Sequence, residues 1–160
     1  MSLHNIDSLI EASSKSHLKL LVLVGDNELK KKEIMNYLLN KNWHKYDIED
    51  AVLNLSEDIP NEKIYLRIGR RIKDWAKTLE EKVVFHNANI LFSPELRQIK
   101  PNHLFSYFMR GNRQGILFLD ARLKDDQAIY STPDKDDFCK MDLNQIVYAD
   151  INNVSIRGDY

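Results

Sequence analysis

The residues best suited to chemistry lie in Leu18–Ile34, LKLLVLVGDNELKKKEI. An aliphatic run from Leu18 to Val24, broken only by Lys19, stops at Gly25, and three lysines, Lys30, Lys31 and Lys32, follow. A strand, a glycine turn and a lysine at the head of a helix form the layout that holds a nucleotide's phosphates. Backbone N–H groups converge on the anion, and the helix N-terminus adds partial positive charge. The full pattern is G-x-x-x-x-G-K-[ST]. Gly25 takes the place of the first glycine and Lys31 that of the lysine. Lys30 stands where the second glycine belongs, and Lys32 where a hydroxyl would coordinate Mg²⁺. A lysine resists the positive φ that glycine accepts, and an ammonium offers donors only. Asp26 and Glu28 add two carboxylates that repel a triphosphate. The outline of a phosphate loop is present, then, with its chemistry damaged. The plain alternative is a strand–turn–helix unit whose helix opens with solvated lysines.

A working nucleotide site also needs an acidic residue at the end of a second strand, to hold the metal. The strand expected there is Lys82–His86, KVVFH. His86 occupies the acidic position, Asn87 offers hydrogen bonds without charge, and Asn89 stands where a second acid would be. Both metal-ligand positions are thus lost, at Lys32 and at His86. No catalytic residue and no metal site is expected, and no cofactor, with ATP binding in the absence of Mg²⁺ as the open alternative.

These residues need elements to hold them. Leu18–Val24 has the nearly continuous apolar character of a strand buried on both faces. A helix is expected over Leu29–Lys41, a short strand over Asp50–Leu55, and a helix over Ile64–Leu79 with Ile64, Ile68, Ile72, Trp75 and Leu79 on one stripe. KVVFH and Gly115–Asp120, GILFLD, complete four strands. Asn5 or Asp7 caps a first short helix, Pro94 opens a turn or helix, and Asn102 caps a helix over His103–Met109. Ala128–Ser131 is β-like, Pro133–Asp137 an acidic loop, and Asn144–Ile151 an edge strand. Strands alternating with helices predict an α/β layer around a mostly parallel sheet. Ligands in such sheets sit at the carboxyl ends of the strands, which gathers Gly25–Lys32, His86–Asn89 and Asp120–Arg122 around one crevice.

Composition bounds the class. The 160 residues, 43% hydrophobic and 29% charged, suit one globular domain with a proper core. A single cysteine, Cys139, excludes a disulfide framework and a cysteine metal cluster. The first residues lack the features of a signal peptide, and no apolar run approaches a membrane span, so a cytoplasmic protein without membrane contact is expected. The formal net charge of −1 hides a gradient: residues 60–115 carry 11 basic and 5 acidic side chains. Arg67, Arg70, Arg71, Arg110 and Arg113 of this middle third are the candidates for contact with DNA or a partner.

The order of segments resembles the small BrxF-type P-loop proteins of type 3 BREX (bacteriophage exclusion) loci. The likeness rests on the strand and loop at Gly25, on Ile90-Leu91-Phe92-Ser93-Pro94-Glu95-Leu96 after KVVFH, on Arg110-Gly111-Asn112-Arg113, and on Tyr130-Ser131-Thr132-Pro133-Asp134. It extends over residues 5–140. It implies a P-loop NTPase-like sheet with helices on both faces, a single degenerate domain over residues 1–160, with Gly25, Lys30, Lys31 and Lys32 as remnants of nucleotide binding. It further implies an accessory subunit of phage defence. Its partners would be other defence proteins: a large ATPase, a DNA methyltransferase or a phosphatase-like component. Two alternatives stand beside it. One is an active nucleotide hydrolase in which Lys31 holds phosphates and Asp120 or Asp26 rescues the metal. The other is a DNA-binding module using the basic face 63–113.

Overall fold

The computed structural model describes residues 3–97, 99–106 and 109–156. A two-residue strand β1 (His4–Asn5) leads into α1 (Ile6–Ser14), whose first N–H groups are taken by the side chain of Asn5, Asp7 N donating to Asn5 Oδ1 at 2.9 Å. Then follow β2 (Leu20–Val24), α2 (Glu28–Leu39), β3 (His44–Asp47), α3 (Ile48–Leu55), α4 (Ile64–Ala76), β4 (Lys82–His86), α5 (Pro101–Ser106) and β5 (Gln114–Leu119). A hairpin-like unit, β6 (Arg122–Lys124), β7 (Gln127–Tyr130) and β8 (Cys139–Asp142), precedes β9 (Val147–Asp150) and the short β10 (Val154–Ser155).

The central sheet is five-stranded and parallel, in the order β3-β4-β5-β2-β9. β1 and β10 pair separately, and β6-β7-β8 form an antiparallel sheet. The register aligns the carboxyl ends: Val24 lies beside Leu119 and Asp150, and Asp47 beside His86. Every residue of β2 is buried, as a strand covered on both faces requires. Its alternate side chains serve two cores. Leu21 and Leu23 pack with Ile6 of α1 and Ile34 and Leu38 of α2. Leu20, Val22 and Val24 pack with α3, α4 and α5 through Ile48, Ile68, Ile72 and Phe105. Helices therefore cover both faces of a parallel sheet, the α/β layering expected from the alternation of elements. Among the described residues no helix is long and apolar enough to cross a membrane.

Two expectations are corrected. Asp50–Leu55 is not a strand but the body of α3, and the strand lies just before it at His44–Asp47. The reason is a cap: Asp47 accepts from Asp50 N at 3.1 Å, Glu49 and Asp50 favour the first turn, and Ile48, Ala51 and Val52 form the buried stripe. Asn102 does not cap a helix from outside. It lies within α5, fully buried, with Nδ2 donating to the Asp142 carbonyl at 2.9 Å. The expected continuation to Met109 crosses residues 107 and 108, outside the described residues.

Of the segments after β4 that carried the family resemblance, only Leu91, Phe92 and Leu96 are core, and the stretches 110–113 and 130–134 are exposed or half-buried. Leu91 and Phe92 are fully buried, and Tyr130 stacks on Phe92 with ring centres 4.3 Å apart. That stack fixes the small antiparallel sheet against the turn that follows β4.

A crevice at the strand ends

The turn after β2 differs from a phosphate loop. α2 begins at Glu28, so only Asp26 and Asn27 separate it from Gly25, and the four-residue turn expected before Lys30 is absent. Asn27 is the N-cap. Its Oδ1 accepts the Lys30 N–H at 3.0 Å, and its Nδ2 donates to Asn152 Oδ1 at 2.7 Å. Lys30 thus closes the first turn of the helix, and Lys31 and Lys32 lie beyond it. One of the N–H groups that an anion would need is already satisfied by a side chain. Gly25 has φ +142°, and its N–H donates to the Leu119 carbonyl at 2.9 Å. A Cβ at Gly25 would meet Ile151 Cγ2 at 2.5 Å. Glycine is required here by the approach of Ile151, a packing reason independent of any phosphate.

Lys31 has a different partner from the one its motif position suggests. Its ammonium forms an ion pair with Asp120 at the end of β5, and a second with Glu28 Oε1 at 3.0 Å. The Lys31 side chain is only 15% exposed. Burial works against its charge, but the hydrogen bonds it donates to Asp120 and Glu28, with their negative charges, outweigh it and hold the Lys31 pKa above its ordinary value. Asp26, Glu28 and Asp120 bring carboxylate oxygens within 4.8 Å of one another. Lys31 supplies the positive charge for two of the three.

Around this pair the strand ends leave a crevice of about 390 Å³, lined by Lys31, Lys32 and Asn36 of α2, Lys45 of β3, His86 at the end of β4, Asn87 and Asn89 just beyond it, and Asp120 after β5. His86 is half-buried. Its pKa is lowered by burial, with Asp47 opposing and Lys45 and Lys31 reinforcing the shift. The ring is therefore neutral at pH 7, with one donor and one acceptor nitrogen. Asn87, in the left-handed region at φ 54°, donates from Nδ2 to Asp47 Oδ2 at 2.7 Å. Asn89 is hydrogen-bonded to the Tyr130 side chain.

The three segments expected to meet at one crevice do meet, through Lys31, Lys32, His86, Asn87, Asn89 and Asp120. Gly25 and Lys30 are not among its lining residues. Lys45 was missed. It sits on β3, which the sequence reading had displaced to Asp50–Leu55. The signal that could have found it is Asp47 followed by Glu49 and Asp50, a helix start that makes the preceding residues a strand.

The arginines of the middle third are divided. Arg113 is structural: Nη1 donates to the Ala76 carbonyl at 3.0 Å and Nη2 to the Lys77 carbonyl, closing the end of α4. Arg71 donates to the Leu55 carbonyl at 2.9 Å and pairs with Asp58. Arg70 is 84% exposed, with a 3.8 Å contact to Asp74, and Arg67 lies exposed on the same helix. The chain matches no family model, no curated protein and no solved structure.

Proposed function

We propose that the chain is a degenerate P-loop NTPase-like domain that does not hydrolyse nucleotide. It acts as an accessory subunit of a BREX-like phage-defence system through protein partners. One observation carries the non-catalytic part: Lys31, the residue a triphosphate would need, is held by Asp120 and Glu28. A triphosphate entering this site would meet three clustered carboxylates and a cation already neutralised. Support for the P-loop-like reading comes from a glycine at the end of a buried central strand, a helix directly after it, and a crevice at the carboxyl ends of a parallel sheet. The defence assignment and the partners follow from the resemblance of the Gly25, Ile90–Leu96 and Arg110–Arg113 segments.

The test is ATP turnover by the full chain with and without Mg²⁺, beside Lys31→Ala. The expected result is no turnover in either protein. Mg²⁺-dependent turnover lost in Lys31→Ala would overturn the reading and restore the hydrolase alternative. The partner claim predicts co-purification with the large ATPase, the methyltransferase or the phosphatase-like component when they are co-expressed. Migration of each as a separate species would remove it.

A further inference from the structure

The crevice beside Lys31 has properties that a disabled nucleotide site does not require. Its volume of about 390 Å³ falls within the range of small-molecule pockets. It lies at the carboxyl ends of β3, β4 and β5, where parallel sheets place their ligands. Met35 and Phe118 give it an apolar wall. Three ammonium groups, on Lys31, Lys32 and Lys45, face two carboxylates, on Glu28 and Asp120. Lys31 satisfies those two acids. The side chains of Lys32 and Lys45 make no ion pair among the described residues. With His86 neutral, the lining residues alone sum to one net positive charge, Lys31, Lys32 and Lys45 against Glu28 and Asp120, and Asp26 of the same carboxylate cluster lies outside the lining.

We propose that this crevice binds a small organic anion, one carboxylate or phosphate group on an apolar body, through Lys32 and Lys45. The anion would be held by the two free ammonium groups and the body by Met35 and Phe118. A ligand with one anionic group matches the charge of the lining, whereas a triphosphate exceeds it and meets Glu28 and Asp120 as well. The inference goes beyond the non-catalytic reading and does not use Lys31.

The probes are benzoate and phenyl phosphate, which put each anion on the same aromatic body. Each is titrated into the isotope-labelled full chain and followed by NMR. The expected result is saturable shifts gathered on Asn36, Lys45, His86 and Asn89. Affinity should fall at least tenfold in Lys32→Gln with Lys45→Gln, and stay unchanged in Lys30→Gln, which lies outside the crevice. Tighter binding of benzoate assigns a carboxylate ligand, and tighter binding of phenyl phosphate a phosphate. Shifts that fail to saturate with both probes, or an affinity unaltered in the double variant, would overturn the proposal. The two readings fail separately, since nucleotide turnover would run through Lys31 and anion binding through Lys32 and Lys45.

Discussion

Lys31, in the first turns of α2, and Asp120, just beyond β5, are joined by an ion pair across 89 positions of sequence. The pair ties α2 to the end of a central strand and sets the charge of the crevice. The side chains are 15% and 30% exposed, so the interaction is neither a solvated surface pair nor a dry one. A double-mutant cycle with Lys31→Met and Asp120→Asn is expected to show a coupling of about 1–2 kcal/mol in urea denaturation, within the range for residues in contact. Lys31→Met alone should be the more damaging single change, because it leaves Asp26, Glu28 and Asp120 clustered without a cation. Coupling below the error of the measurement would mean that the pair does not hold α2 in place.

Gly25 provides a prediction that separates packing from ligand binding. Gly25→Ala must fit a Cβ against Ile151 Cγ2 at a φ of +142°. The expected cost is about 2–4 kcal/mol, the sum of backbone strain and a core clash. Ile151→Ala removes the opposing methyl, so the double variant should be less destabilised than the sum of the singles. Strict additivity in denaturant unfolding would contradict the steric account.

How far the sequence reached follows from the same residues. The two-face burial of β2 was legible because LKLLVLV has no alternation, and α4 because its stripe repeats at three and four. The meeting of Lys31, His86 and Asp120 was legible because parallel sheets align their carboxyl ends. What the sequence hid was local. The first turn of α2 was obscured by a motif that shifts attention from Asn27, its actual cap, to Lys30. β3 was hidden because HKYD is polar and half-exposed, while DAVLNL looks like a strand to any reading that ignores Asp47 as a cap. The Lys31–Asp120 pair was hidden because ion pairs between distant positions leave no periodic trace.

His86 makes stability depend on pH with a defined sign. Its pKa is lowered from 6.5 in the folded chain, first by burial. Below pH 6.5 the unfolded chain therefore binds a proton that the folded chain resists, and stability falls as pH drops from 6.5 toward the folded value. Urea midpoints of the parent protein should decline over this window, and His86→Gln should flatten that part of the decline. The further loss at lower pH comes from carboxylates held below their usual range, Asp58 and Glu80 at the surface and the half-buried Asp47. Burial opposes its charge, but hydrogen bonds from Asp50 N–H and Asn87 prevail and hold its pKa below the usual carboxylate value. An unchanged slope in His86→Gln would place the titrating group elsewhere.

The arginine face gives the last contrast. Arg113 donates to the carbonyls of Ala76 and Lys77, the orphan acceptors at the end of α4, so its role is structural. Arg113→Ala is expected to cost about 1–3 kcal/mol of stability, the range for hydrogen bonds from a charged donor. Arg70, exposed and weakly paired, should tolerate Glu with a change of about 0.5 kcal/mol or less. If the face bound DNA, Arg70→Glu would weaken binding and reduce its salt dependence while leaving the unfolding midpoint in place. The non-catalytic, protein-partnered reading expects no DNA binding for the variant to lose. Salt-sensitive binding of duplex DNA by the parent protein, abolished by Arg70→Glu at unchanged stability, would favour the nucleic-acid alternative instead.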